Sequence, residues 1–257
     1  MGGRGAKSSL GTMASGATLP PQADSNAQVD NTQVASAFSA DYDKFMAMTD
    51  DEKADFIDAN IKQGVPVHLA QNDFQRFIYN SGLNEKPNIV DDATLDTMTG
   101  TEIFRTVNSV YDSKNDISYT ADQIAKQVTA GRATRVSDNG GSVYGRGIYF
   151  ADSYNGSTSY GNSSGDSKKT AVMRGKLNSN AKVIDYSKAS RGAINEISSG
   201  SKLGKVLSKC DRDSRPSVYA MSKGYNVISS GHGYFNVLNR NAITMSSDIK
   251  AKSSKWK

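Results

Sequence analysis

From Glu102 onward the apolar residues of this chain come in short runs bounded by Gly, Ser, Asn and Lys, and this pattern limits the fold more than any other feature. The runs are Glu102 to Val107, Gly147 to Ala151, Ala171 to Leu177, Lys182 to Ile184, Tyr225 to Ile228 and Tyr234 to Leu238. Runs this short, carrying β-branched and aromatic side chains between turn residues, read as strands. A helix over Thr120 to Ala130, with Ile124 and Val128 inward, falls between the first two. Upstream the period is helical. Thr49-Asp50-Asp51-Glu52 has the form of a capping box that opens a helix carrying Phe56, Ile57 and Ile61 on one face, with Gly64 and Pro66 closing it. A second helix is predicted from Asn72 to Ser81, with Phe74, Phe77 and Ile78 apolar and Gly82 as its stop. The expected class is α+β with a mostly antiparallel sheet.

Nothing covalent helps this fold. Cys210 is the one cysteine, and the two histidines, His68 and His232, come with no CxxC, so neither an internal disulfide nor an ordinary zinc site is expected. A chain of 257 residues has room for one sizeable domain plus appendages. Residues 1–40 are mostly Gly, Ser, Ala, Asn, Gln and Thr with Phe38 as their one aromatic, a composition that buries too little apolar surface to offset ordering entropy. They are expected to be a flexible arm, followed by a helical segment over 41–95 and the main domain over 96–246. Lys250, Lys252, Lys255 and Lys257 around Trp256 make 247–257 an expected basic tail. The net charge of +5 is spread thinly, which favours solubility over a nucleic-acid stripe. No apolar stretch approaches the roughly 20 residues of a membrane span, and no apolar core follows Arg4 and Lys7 as in a secretory signal.

The segment most informative about chemistry is Tyr144-Gly145-Arg146-Gly147-Ile148-Tyr149-Phe150-Ala151-Asp152, followed by Ser157-Thr158-Ser159-Tyr160-Gly161. It is not a dinucleotide fingerprint, because Phe150 stands where the third glycine of G-x-G-x-x-G belongs. Two glycines let a backbone approach a ligand, and a strand then presents Tyr149, with Tyr160 eleven positions later. Two tyrosines so placed can sandwich a flat heteroaromatic ring. The other reading makes both of them half-buried core residues.

Gly145 to Asp152, with the spacing of Ser157 and Tyr160, resembles the nicotinamide-binding strand and helix of the ADP-ribosyltransferase superfamily, closest to its poly(ADP-ribose) polymerase branch. Glu102-Ile103-Phe104-Arg105-Thr106-Val107 resembles that superfamily's first motif. The resemblance implies a split antiparallel β-sandwich with flanking helices, and NAD as co-substrate. It implies that Arg105 anchors NAD, that Tyr149 and Tyr160 hold nicotinamide, that Ser157 bonds the carboxamide, and that the backbone near Thr106 and Gly147 lines the cleft. Gly224 to Ile228 and Tyr234 to Ile243 look like the closing hairpin, where the family places a catalytic glutamate. Here Tyr234 stands at that position, no Asp or Glu lies between Asp213 and Asp248, and strand alternation puts His232, Tyr234 and Asn236 on one face. Tyr234 or Asn236 is then the group left to bond the ribose.

The implied activity is mono-ADP-ribosylation of a protein or nucleic-acid acceptor. The Gly-rich start Met1-Gly2-Gly3-Arg4-Gly5 resembles proteins encoded in phage head gene clusters, which implies a location in the virion or the host cytoplasm and head or neck proteins as partners. Two other readings stay open: a degenerate fold that binds NAD or ADP-ribose or serves the virion structurally, and an NAD glycohydrolase. The loops expected to select an acceptor are those around 108–118, 155–169 and 187–215.

Overall fold

The computed structural model describes residues 40–65, 70, 72–83, 85–112, 117–129, 143–159 and 170–251. The chain enters through α1 (Ala40–Ala47), α2 (Asp50–Lys62) and α3 (Asp73–Ser81). Helix α2 starts on the expected capping box: Glu52 N–H donates to the Thr49 hydroxyl, and Thr49 N–H donates to the Glu52 carboxylate. Helix α3 stops where expected, at Gly82 in the left-handed conformation with φ 73°. Then come β1 (Asn88–Val90), α4 (Asp92–Thr97), β2 (Glu102–Asn108), β3 (Val110–Asp112), β4 (Ile117–Tyr119) and α5 (Ala121–Thr129). The second half holds β5 (Ile148–Ala151), α6 (Tyr154–Ser159), β6 (Thr170–Leu177), β7 (Val183–Asp185), α7 (Tyr186–Ser199), α8 (Lys202–Lys209), α9 (Arg215–Ser222), β8 (Val227–Ser229), β9 (Tyr234–Val237) and β10 (Ile243–Ala251).

Eight strands form one sheet in the order β1-β10-β6-β2-β5-β9-β8-β7, and β3 and β4 pair separately. The sheet is mixed: β1 runs parallel to β10 and β7 parallel to β8, while the other neighbours are antiparallel. The sheet is mostly antiparallel, as expected, with a parallel pair at each of its two edges. Each parallel edge pair joins strands with helical chain between them, which a tight hairpin cannot do. In the middle, β2 and β5 share a single register pair, Phe104 opposite Ala151. The sheet is therefore two four-stranded ladders held side by side by one rung.

Two apolar cores lie on it. Phe45, Ile57, Phe77, Leu83, Leu207, Val218 and Met221 from α1, α2, α3, α8, α9 and the α3 exit pack together against Ile228 and Ile184. Ile124, Ala125 and Val128 of α5 pack against Ile103, Val107, Ile148, Phe150, Met173 and Val237. Burying such side chains stabilises each element by about 1.5–3 kcal/mol per large residue. Arg240 is buried, and its Nη1 donates to the carbonyls of Val128 (2.8 Å) and Gln127 (3.4 Å). That places a cation at the C-terminus of α5, where the helix dipole favours one.

Several boundaries differ from the sequence reading. Residues 187–215, expected as a loop, hold α7 and α8. The inward stripe of α7 is made by Ala189 and Ala193, so its apolar period is too faint to see. The first five residues of the expected tail belong to β10, whose Thr244 and Ser246 are buried yet polar. Their hydroxyls are satisfied by Asn178 and Asp92, and the apolar side of the strand is carried by Ile243, Met245 and Ile249. Strand β1 falls within the segment expected to be helical.

Candidate functional site at the split between β2 and β5

Strand β2 carries Arg105 and Thr106 beside the single rung. Alternation sends Ile103 and Val107 into the α5 core. Phe104 packs edge-on against Tyr154 of α6, with ring centroids 6.2 Å apart. The half-buried Arg105 reaches across the gap, and its Nη1 donates to the Tyr149 carbonyl at 2.7 Å. Its Nε is buried with no hydrogen-bond partner. Among the described residues no carboxylate pairs with it. Burial of this uncompensated cation pulls its pKa down to about 10. A guanidinium has five donors, so this one keeps capacity for an anionic or oxygen-rich ligand.

Across the gap, the turn before β5 is built for close approach. Gly145 has φ 87°, a conformation that costs other residues strain. A Cβ on Gly147 would lie 2.0 Å from Asn236 Oδ1 and 2.9 Å from the Val237 carbonyl oxygen, so position 147 admits no side chain. Tyr149 fastens this turn to its strand: its hydroxyl donates to the Gly145 carbonyl at 2.5 Å and accepts from Tyr144 N–H at 2.9 Å. Burial, the largest influence, raises the phenol's pKa. The rings of Tyr144 and Tyr149 lie 6.5 Å apart, and Tyr186 meets Tyr144 edge-on at 5.5 Å. Arg146, between the two glycines, lies 3.5 Å from Asp213 and 4.0 Å from Asp211.

Helix α6 follows β5 directly and brings Ser157 to β2. Ser157 is 3% exposed, donates to the Tyr154 carbonyl at 3.0 Å, and has the Thr106 hydroxyl at 3.1 Å. With its hydrogen committed to Tyr154, Ser157 accepts from Thr106 and keeps a second lone pair. Arg105, Thr106, Tyr149 and Ser157, separated by up to 52 positions in the chain, are thus joined by two hydrogen bonds around one dipeptide of β2.

The residues expected on β9 are placed differently from each other. Asn236 is 1% exposed, lies opposite Tyr149 in the ladder, and donates through Nδ2 to the Tyr144 carbonyl at 3.0 Å. Its amide braces the turn through Nδ2, and its Oδ1 is buried without a partner. Tyr234 is half-buried opposite Ala151, beside the rung. Tyr160 lies outside the described residues, as do His68 and Trp256.

Sequence reading missed Phe104 and Tyr154, which seat α6 on β2, and Asp152, whose N–H donates to the Gly233 carbonyl at 2.8 Å. No group of three metal-ligating side chains gathers among the described residues, and no helix there is long and apolar enough to cross a membrane. In comparisons with known proteins no family model matches the chain, and neither a curated protein nor a solved structure matches it.

Proposed function

We propose that the chain is an NAD-dependent mono-ADP-ribosyltransferase with an ADP-ribosyltransferase-like split sandwich. The observation that carries this reading is Arg105: a half-buried guanidinium with a buried, unpartnered Nε and no carboxylate partner among the described residues, set at the gap between two ladders. NAD supplies what such a cation lacks, since its pyrophosphate and ribose oxygens match a planar fork. Ser157 accepts from the carboxamide of nicotinamide with its remaining lone pair, and Tyr149, its hydroxyl already bonded within the turn, offers its ring. The C1′–N bond breaks with its electron pair returning to the pyridinium nitrogen, and neutral nicotinamide leaves. An acceptor lone pair closes on C1′, and the acceptor's proton passes to water. The acceptor is a protein or nucleic acid of the bacterial host, and the Gly-rich start fits delivery with a phage particle.

A second reading, a fold kept for holding NAD or ADP-ribose or for building the virion, is favoured by one observation. Strand β9 and its approach carry no carboxylate, and Asn236 is committed to the turn.

The test is incubation of the purified protein with labelled NAD, with and without bacterial lysate, following nicotinamide release and label on macromolecules. Transfer that disappears in Arg105→Ala supports the transferase. Release without transfer identifies a glycohydrolase, and tight NAD binding with neither supports the second reading.

A further inference from the structure

Breaking an N-glycosidic bond builds positive charge on the ribose ring, and a nearby carboxylate is the usual protein counter-charge for an oxocarbenium-like centre. The chain has no Asp or Glu from position 214 to 247, so β8, β9 and the turn between them hold none. One carboxylate nevertheless stands at the start of β9. Asp152 follows Ala151, the residue that pairs with both Phe104 of β2 and Tyr234 of β9. Its N–H extends the ladder by one bond to the Gly233 carbonyl at 2.8 Å. A Cβ at Gly233 would lie 2.8 Å and 2.9 Å from the two carboxylate oxygens. The Asp152 carboxylate thus occupies the space that a side chain at position 233 would take. Gly233 has φ 81°, so the backbone there already favours the residue with no side chain.

This carboxylate is also available. Asp152 is exposed, and among the described residues its side chain has no hydrogen bond or ion pair. Most other carboxylates near the gap are occupied. Asp211 and Asp213 hold Arg146 and Ser214, Asp185 caps α7 through Ser187, and Glu102 pairs with Arg174.

We infer that Asp152, at the end of β5, supplies the catalytic carboxylate that β9 lacks, an inference that rests on the transferase reading. Asp152 accepts a hydrogen bond from a nicotinamide-ribose hydroxyl and faces the positive charge that develops at C1′ as nicotinamide leaves. Arg105 holds the opposite, phosphate side of the same dinucleotide.

The experiment compares nicotinamide release and NAD affinity for the wild-type protein, Asp152→Asn and Asp152→Glu. Asp152→Asn is isosteric and the residue is exposed, so its melting temperature should match the wild type. Release should fall by about a hundredfold with NAD affinity nearly unchanged, the pattern of a group that acts in the transition state. Asp152→Glu should keep part of the rate. Release by Asp152→Asn at the wild-type rate overturns the inference and leaves the transferase reading standing. A wild-type protein that binds NAD without releasing nicotinamide overturns the transferase reading itself.

Discussion

The Nη1 of Arg105 donates to the carbonyl oxygen of Tyr149 at 2.7 Å, across the place where the two ladders of the sheet share only one register pair. The contact sets the guanidinium in the gap while satisfying only part of it. A strand with a full ladder to its neighbour would leave no room there for a ligand, and a salt-bridged arginine would have no reason to take one.

Arg105→Ala should abolish measurable NAD binding by calorimetry. Arg105→Lys should weaken it by at least about tenfold, because an ammonium keeps the charge and loses the fork. Affinity unchanged in both variants would remove the site from this part of the fold.

Tyr149→Phe separates the ring from its hydroxyl. The hydroxyl serves Tyr144 N–H and the Gly145 carbonyl, so its loss should cost about 1–3 kcal/mol of stability. Thermal unfolding would show the cost, while NAD affinity should change little if the ring is what meets nicotinamide. Tyr149→Ala, which loses both, should weaken binding and stability together.

Gly147→Ala should destabilise the protein by about 1–3 kcal/mol, the range for overpacking a filled site. The added methyl meets Asn236 Oδ1 at 2.0 Å and the Val237 carbonyl oxygen at 2.9 Å. Combining it with Asn236→Ala should recover part of the loss, since the first clash is removed and the second stays. Chemical denaturation of the single and double variants measures that coupling. Strict additivity would show that Asn236 does not occupy the space over Gly147.

Stability should fall on the alkaline side. Burial raises the Cys210 thiol from 9.0 to about 12. Burial also raises the Tyr42 phenol from 10.0 to about 12, against the Asn226 hydrogen bond. Both groups bind their protons more tightly when folded, so their contribution is whole below about pH 9 and is lost as pH climbs to about 12. Tyr42 donates to the Gly224 carbonyl at 3.3 Å, a bond its phenolate cannot make, so α1 should loosen first. Denaturation midpoints between pH 8 and 11 measure the slope. A thiol reagent at pH 8 should label Cys210 only on unfolding, because the buried thiol stays protonated.

Much of the local structure is legible in the residues alone. Thr49 and Glu52 mark the start of α2, Gly82 the end of α3, and the apolar runs give β2, β5, β6, β7, β8 and β9 to within two or three residues. These signals are local: a cap, a left-handed stop and a two-residue period each act over a few positions. The faint elements are those whose partners lie far away. Helix α7 buries only the small Ala189 and Ala193 fully, with Tyr186 and Ile197 partly buried beside them, and β10 buries Thr244 and Ser246 against Asn178 and Asp92.

The sequence by itself determined which residues the proposed chemistry rests on: Arg105 in its strand, the glycine-flanked turn, Tyr149 and Ser157, and the want of an acid on β9. Only the tertiary structure decided how they meet. It joined Arg105 to Tyr149 and Thr106 to Ser157, turned Asn236 into a brace for the turn, and set the Asp152 carboxylate over Gly233. Hydrogen bonds between residues 44 to 92 positions apart depend on strand order and on where a ladder stops. Those are fixed by the packing of two cores on one sheet, and no local pattern encodes them.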